Sequence, residues 1–200
     1  MKLRILGSIL VLVVCGTLIG YIFWQQELKY ALPTPVPASY VPVLFKQQVQ
    51  LPAIQTGPVF LHFFNPECPC SRFNVKHIRQ LIAEYSDQIN FKIIIPSFAS
   101  IEDAQKFFDD GVEIIQDNEG WSEACGTYST PQAVIIDQQS TLYFRGNYNR
   151  TRYCTDPRTN YAELALQSFV NNRPLPLMDE LATRAYGCSF DEIKEWKLWN

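Results

Sequence analysis

The chain predicts an α/β domain, a mixed central sheet flanked by helices, preceded by one N-terminal transmembrane helix. Three observations carry that expectation. Apolar runs of strand length alternate with helical periodicity in the order β-α-β-α-β-β-α, residues 5–24 form an uncharged apolar stretch, and a proline-dense segment separates the two regions. The length of 200 residues suits one such domain, and 47% hydrophobic with 14% aromatic residues supply a core and exclude disorder. A net charge of −3 without a basic block gives no cationic footprint for displacing counterions from phosphates, so no nucleic-acid partner is expected.

Residues 1–4 carry Lys2 and Arg4, the only charges ahead of the apolar run. Residues 5–24, at ~1.5 Å each, cover about 30 Å, the hydrocarbon thickness of a bilayer. Tyr21, Phe23 and Trp24 stand where an interfacial aromatic belt belongs. The expected partner of this segment is the lipid bilayer. The positive-inside rule places the N-terminus in the cytoplasm and the domain in the periplasm or extracellular space, a single-pass protein of the inner (plasma) membrane. A lipoprotein with Cys15 as lipidation site fits less well, because Val14 replaces the expected small residue and the apolar run continues past it. Residues 25–42, with Pro33, Pro35, Pro37 and Pro42, read as a semi-rigid spacer lifting the domain from the bilayer.

The domain is expected over 43–172. Val59 to Phe64 is apolar on both faces and reads as a buried central strand, with His62 as a core histidine. From Cys70 to Tyr85, the residues Ile78, Leu81, Ile82 and Tyr85 mark one face of a helix, and His77 reads as a surface residue. Phe91 to Ile95 is a second strand, Ser100 with Asp103 opens a short helix, and Val112 to Gln116 is a candidate for one further short strand beyond that order. Ala133–Asp137 and Thr141–Arg145 form a hairpin, and Asn160 with Glu163 caps a helix over Tyr161 to Val170. The extension 173–200 is expected to be helical around Asp179–Ala185 and Phe190–Trp199 and docked on the domain.

The chemistry concentrates in Asn65-Pro66-Glu67-Cys68-Pro69-Cys70-Ser71, where a buried strand gives way to a helix. A thiol at a helix N-terminus meets free backbone N–H groups and the positive end of the dipole, which lower its pKa. Arg72, four residues after Cys68, adds positive charge in this reading, and Glu67 opposes it.

This strand–cysteine–helix junction, with Thr130-Pro131 ahead of the Ala133–Asp137 strand, resembles the thioredoxin superfamily. Asp117 through Gly120, Cys125-Gly126, Thr130-Pro131 and the hairpin up to Gly146 resemble its membrane-anchored TlpA/ResA and peroxiredoxin-like branch. The Asn65–Ser71 string is similar to that of an uncharacterised bacterial group. The resemblance, over about Val43 to Val170, implies a thiol–disulfide oxidoreductase acting on protein thiols and disulfides, with no cofactor. Cys68 matches the attacking cysteine, and Pro131 matches a cis-proline that leaves adjacent backbone free to pair with a bound peptide. The family's resolving cysteine is replaced by Ser71, so Cys70 is expected to resolve, or Ser71 to hydrogen-bond a Cys68 that works alone. Asn65 stands where peroxiredoxins place Thr or Ser, which argues against peroxidase chemistry.

Two alternatives accompany that reading. Cys68 and Cys70 are soft ligands suited to Cu(I), although no third ligand is visible; or the scaffold is a redox-inert binding module. Cys154 and Cys188 are expected to form a structural disulfide tying the extension to the domain, the competing idea being that one of them resolves Cys68. Cys125 reads as a small buried hydrophobe, the alternative being that it approaches the site and resolves Cys68, and Asn149-Arg150-Thr151 reads as a glycosylation sequon if the cell is eukaryotic.

Overall fold

A computed structural model describes residues 2–53, 56–108 and 111–190. Helix α1 (Lys2–Phe23) continues through a π-helical turn at Trp24–Leu28 into α2 (Lys29–Ala31), and Pro33 follows. The span Arg4–Ala31 is long and apolar enough to cross a membrane. Contrary to the spacer expectation, its end and the proline segment lie against the domain. Glu27 accepts from Arg152 at 2.7 Å and from the Tyr153 hydroxyl at 2.7 Å, and the Thr34 N–H donates to the Ala185 carbonyl at 2.9 Å. Carboxylate–guanidinium pairing and backbone hydrogen bonds replace hydration here, which a proline-rich composition does not reveal.

The sheet contains β1 (Val59–Phe63), β2 (Asn90–Ile95), β3 (Glu113–Gln116), β5 (Gln132–Ile136) and β6 (Leu142–Gly146), in the order β3-β2-β1-β5-β6. Strands β1, β2 and β3 run parallel, while β5 is antiparallel to β1 and β6 to β5. Helix α3 (Pro69–Tyr85) connects β1 to β2, α4 (Ile101–Gln105) connects β2 to β3, and α6 (Tyr161–Val170) follows β6. This is the mixed, helix-flanked, thioredoxin-like arrangement expected.

Alternation along β1 makes two cores. Phe60 and Phe64 face Ile78, Leu81 and Tyr85 of α3 and Leu166 of α6, whereas Val59, Leu61 and Phe63 face Trp121, Cys125 and Phe190. Trp121 and Cys125 belong to α5 (Trp121–Cys125), a short helix not anticipated from the sequence. Asp117 makes it possible, its carboxylate accepting from the Trp121 and Ser122 N–H groups at 2.6 and 2.9 Å. Ser100 caps α4 as expected, accepting from the Asp103 N–H. Asn160 does not cap α6 through its side chain; its amide donates to Glu163 at 2.7 Å instead.

The extension differs from the helical expectation. Residues 174–190 form a strap with one 3-10 turn (Glu180–Ala182) and a strand β7 (Cys188–Ser189), antiparallel to β4 (Ser129–Thr130). It is docked: Ala182, Ala185 and Phe190 are buried. The helix expected beyond Phe190 lies outside the described residues.

Candidate functional site

The turn into α3 is built by Asn65, whose carbonyl accepts from the Cys68 N–H at 3.0 Å and whose side-chain oxygen accepts from the Glu67 N–H at 2.9 Å. Cys68 is thereby the N-cap residue of α3, in extended conformation, with Pro69 at the first helical position. Its sulfur emerges where the helix N–H groups lack intrahelical partners.

The same end of the sheet carries Thr130-Pro131, joined by a cis peptide. The Cys68 Sγ lies 3.8 Å from the Thr130 carbonyl oxygen. The Cys68 sulfur and the Thr130-Pro131 turn are therefore brought together. Ser71 is not directed at the Cys68 sulfur. Its Oγ lies 2.7 Å from Thr130 Oγ1, which donates to the Phe63 carbonyl at 3.0 Å, and this buried hydroxyl chain ties α3 to β1 and to the cis-proline turn. Ser71 occupies the inward face of the helix, where a hydroxyl must find a protein partner.

Cys68 is bonded to Cys188, with the α-carbons 6.1 Å apart. The expected Cys154–Cys188 bridge is therefore not formed, and the competing pairing is the one adopted. The cause is strand register: β7 places Cys188 opposite Thr130, directly over the start of α3. Cys154 remains a thiol whose Sγ lies 3.1 Å from Asn74 Oδ1, and burial pushes its pKa up to about 12. Cys70 is also free and fully buried. Burial pushes its thiol up, partly offset by a hydrogen bond and positive charge from Arg152. Cys70 is thus not the partner of Cys68. The copper alternative would need both sulfurs as thiolates, and here Cys68 is oxidised.

The site's cation also differs from the expected one. Arg72 is exposed and contributes its backbone N–H to the Cys68 carbonyl at 3.2 Å. The arginine beside a site sulfur is Arg152, buried under Tyr30, Phe73 and Tyr153 and paired with Glu27. Far from the motif in sequence, Arg152 carries no local signal. Cys188 has no local signal either, lying in a tail of mixed polar and apolar residues.

The remaining candidates fall away from this end. His62 is buried with Nδ1 2.7 Å from the Tyr148 hydroxyl, and burial lowers its pKa to about 3, so it is a neutral core histidine as expected. His77 is less exposed than expected; it lies 3.1 Å from Glu163, and burial lowers its pKa against the pull of that carboxylate. Cys125 is buried in the second core, where burial raises its pKa. Asn149 is no sequon acceptor in this fold, because it is buried and its amide donates to Asp156 O and Asn160 Oδ1. Among the described residues, no group of three or more His, Cys, Asp or Glu side chains could hold a metal ion.

Solved structures share this fold at low sequence identity. An uncharacterized conserved protein from Geobacillus kaustophilus is 20% identical, with 72% of this chain and 80% of that chain covered and a TM-score of 0.57. A hypothetical protein, SMc02350 from Sinorhizobium meliloti 1021, is 15% identical, with 68% and 79% covered and a TM-score of 0.55. A secreted Mycobacterium tuberculosis disulfide oxidoreductase homologous to E. coli DsbE overlaps more loosely, at 19% identity, 59% and 83% coverage and a TM-score of 0.43. No curated protein matches the chain. The family match spans residues 42–190, from the last proline of the N-terminal segment through β7, and it places this chain in the family described as a domain of unknown function, DUF6436.

Proposed function

We propose that this protein is a membrane-tethered thiol–disulfide oxidoreductase whose working couple is Cys68 and Cys188, with the domain on the extracytoplasmic side. The observation that carries the reading is the Cys68–Cys188 bond at the N-terminus of α3, beside the Thr130–Pro131 turn.

The two sulfurs are unequal. Cys68 is only 2% exposed, whereas Cys188 is half-buried on the outer side. A thiolate of an incoming dithiol reductant attacks Cys188 Sγ, forming a mixed disulfide and expelling Cys68 as a thiolate. The helix N-terminus stabilises this leaving group, which speeds exchange. The reductant's second thiolate then attacks its own sulfur in the mixed disulfide and releases Cys188. Cys68 next attacks a substrate disulfide, and Cys188 resolves that intermediate by attacking Cys68 Sγ, restoring the bond and releasing the reduced substrate. Two electrons pass from dithiol to disulfide, and every step is reversible, so oxidation of a substrate dithiol follows the same path backwards. The buried hydroxyl chain through Ser71 and Thr130 positions α3 against the proline turn; Cys70, held protonated by burial, stays a spectator.

The test uses the full chain in detergent micelles with dithiothreitol and glutathione disulfide. Cys68→Ser is expected to abolish exchange, Cys188→Ser to accumulate a glutathione adduct on Cys68, and Cys70→Ser to retain turnover. A Cys68–Cys188 bond that resists dithiothreitol in the folded protein, or turnover surviving Cys68→Ser, would overturn the proposal.

A further inference from the structure

The strap occupies the backbone edge beside Pro131. Ser129 and Thr130 pair antiparallel with Ser189 and Cys188, and the Phe190 N–H donates to the Tyr128 carbonyl at 3.0 Å. On the strap's other edge, Pro33 bridges Tyr186, so the Tyr186 end of the strap lies in a slot between the proline segment and β4, which pairs with Cys188 and Ser189. Side chains fill that slot specifically. Phe190 is fully buried, its ring 5.2 Å from that of Phe63. The Tyr186 hydroxyl donates to the Asn149 carbonyl at 2.9 Å, and the Tyr186 carbonyl accepts from Ser129 Oγ at 2.8 Å. Gly187 has φ +108°, and a Cβ there would collide with the Thr130 carbonyl oxygen. The Ser189 hydroxyl is buried without a hydrogen-bond partner, so this position makes no polar demand on its occupant.

We infer that this slot is a recognition site for an extended cysteine-containing peptide of the pattern Tyr-Gly-Cys-x-Phe, and that the strap is its internal occupant. The inference rests on the exchange chemistry proposed above and adds the identity of the partner. Strand addition supplies affinity through the backbone, while pockets for alternate side chains supply selectivity. The glycine requirement comes from the close approach of Thr130, the aromatic requirement from the seat beside Phe63, and the cysteine is aligned with Cys68 by the register at Thr130. While Cys68 is bonded to Cys188 the strap is tethered in place. Reduction leaves it held only by non-covalent contacts, and a partner segment of the same chemistry competes for the slot.

The experiment uses the full-length Cys188→Ser chain in micelles, which leaves Cys68 free. The probes are pentapeptides activated at cysteine as 2-pyridyl disulfides: Tyr-Gly-Cys-Ser-Phe, its Gly-to-Ala version and its Phe-to-Ala version. The Cys68 thiolate attacks the peptide sulfur, forming the protein–peptide disulfide and releasing pyridine-2-thione, whose absorbance gives the rate. The parent peptide is expected to react at least about tenfold faster than either altered peptide, the ratio a loss of ~1.4 kcal/mol produces. Adding Phe190→Ala, which weakens the internal competitor, is expected to accelerate the parent peptide further. Equal rates for the three peptides overturn the inference while leaving the oxidoreductase reading intact; failure of Cys68 to react even with 2,2′-dipyridyl disulfide overturns that reading instead. Faster attack by Cys68 on a Cys68→Ser chain activated at Cys188 as the 2-pyridyl disulfide, giving an interchain Cys68–Cys188 bond and pyridine-2-thione, than on the parent peptide overturns it in favour of strap exchange between copies.

Discussion

In the sheet, Phe60, Leu61 and Phe63 of β1 are held by ladders to β2 and β5 and by continuous burial under side-chain layers on both faces. The strap is held at separate points instead. Among these are Asp179 on Tyr161 and Arg150, Leu181 and Arg184 on Asn147, Tyr186 on Asn149 and Ser129, the short β4–β7 ladder, the Phe190 ring and the Cys68–Cys188 bond. Continuous burial fails cooperatively, whereas a series of point attachments is released piecemeal. The part of the molecule that moves in the proposed exchange is thus built differently from the part that does not.

Acid should break the comparison from the side of the sheet. Buried His62 stays neutral in the fold down to about pH 3, whereas in the unfolded chain it titrates at 6.5. Its folded pKa is depressed, so stability is lost as pH falls from 6.5 towards 3. At ~1.4 kcal/mol per pH unit, the loss over that interval is roughly 5 kcal/mol. His77, also lowered by burial, acts in the same direction. Asp179 in the strap is held below its ordinary 3.8 by Tyr161 and Arg150, so its contribution is kept above pH 3.8 and lost as pH falls below it. Urea midpoints measured against pH should show the decline, and His62→Gln should flatten it; an unchanged slope in that variant would refute the assignment.

A core truncation should separate the regions next. Phe60→Ala is expected to cost about 3–5 kcal/mol of global stability in urea unfolding. Phe190→Ala removes an equally buried ring, but one on a detachable segment. Its cost should appear as faster amide exchange at residues 186–190, with a urea midpoint closer to wild type. Equal midpoints for the two variants would mean that strap and sheet unfold as one unit.

The smallest effect is expected at Asn147, whose amide donates to the Leu181 and Arg184 carbonyls at 2.7 and 2.8 Å. Asn147→Ala leaves those carbonyls without that donor, at a cost of about 1–3 kcal/mol. Hydrogen exchange should place the loss in residues 179–186 and spare β1 and β2.

Most of the sheet and its helices were legible because their signals are local. The apolar run Val59–Phe64, the 3.6-residue stripe through Ile78, Leu81 and Tyr85, and Ser100 three residues before Asp103 each reflect short-range geometry. Helix α5 escaped because its cap, Asp117, lies in a loop four residues before Trp121. At the site, Cys68 and Pro131 were found from a strand–helix junction and a resemblance. Ser71, Arg72 and Cys70 were assigned roles that depend on which way a side chain faces, and sequence spacing around Cys68 does not determine that.

By itself the sequence determined the apolar N-terminal helix, the alternating α/β order and the emergence of Cys68 at a helix start, because periodicity, length and end-capping are properties of neighbouring residues. The partner of Cys68 was decided only by tertiary structure. Cys188 stands 120 positions away; it reaches the site because Gly187 permits close approach to Thr130 and Phe190 finds a seat beside Phe63. Those are steric facts of surfaces that exist only once the sheet has formed.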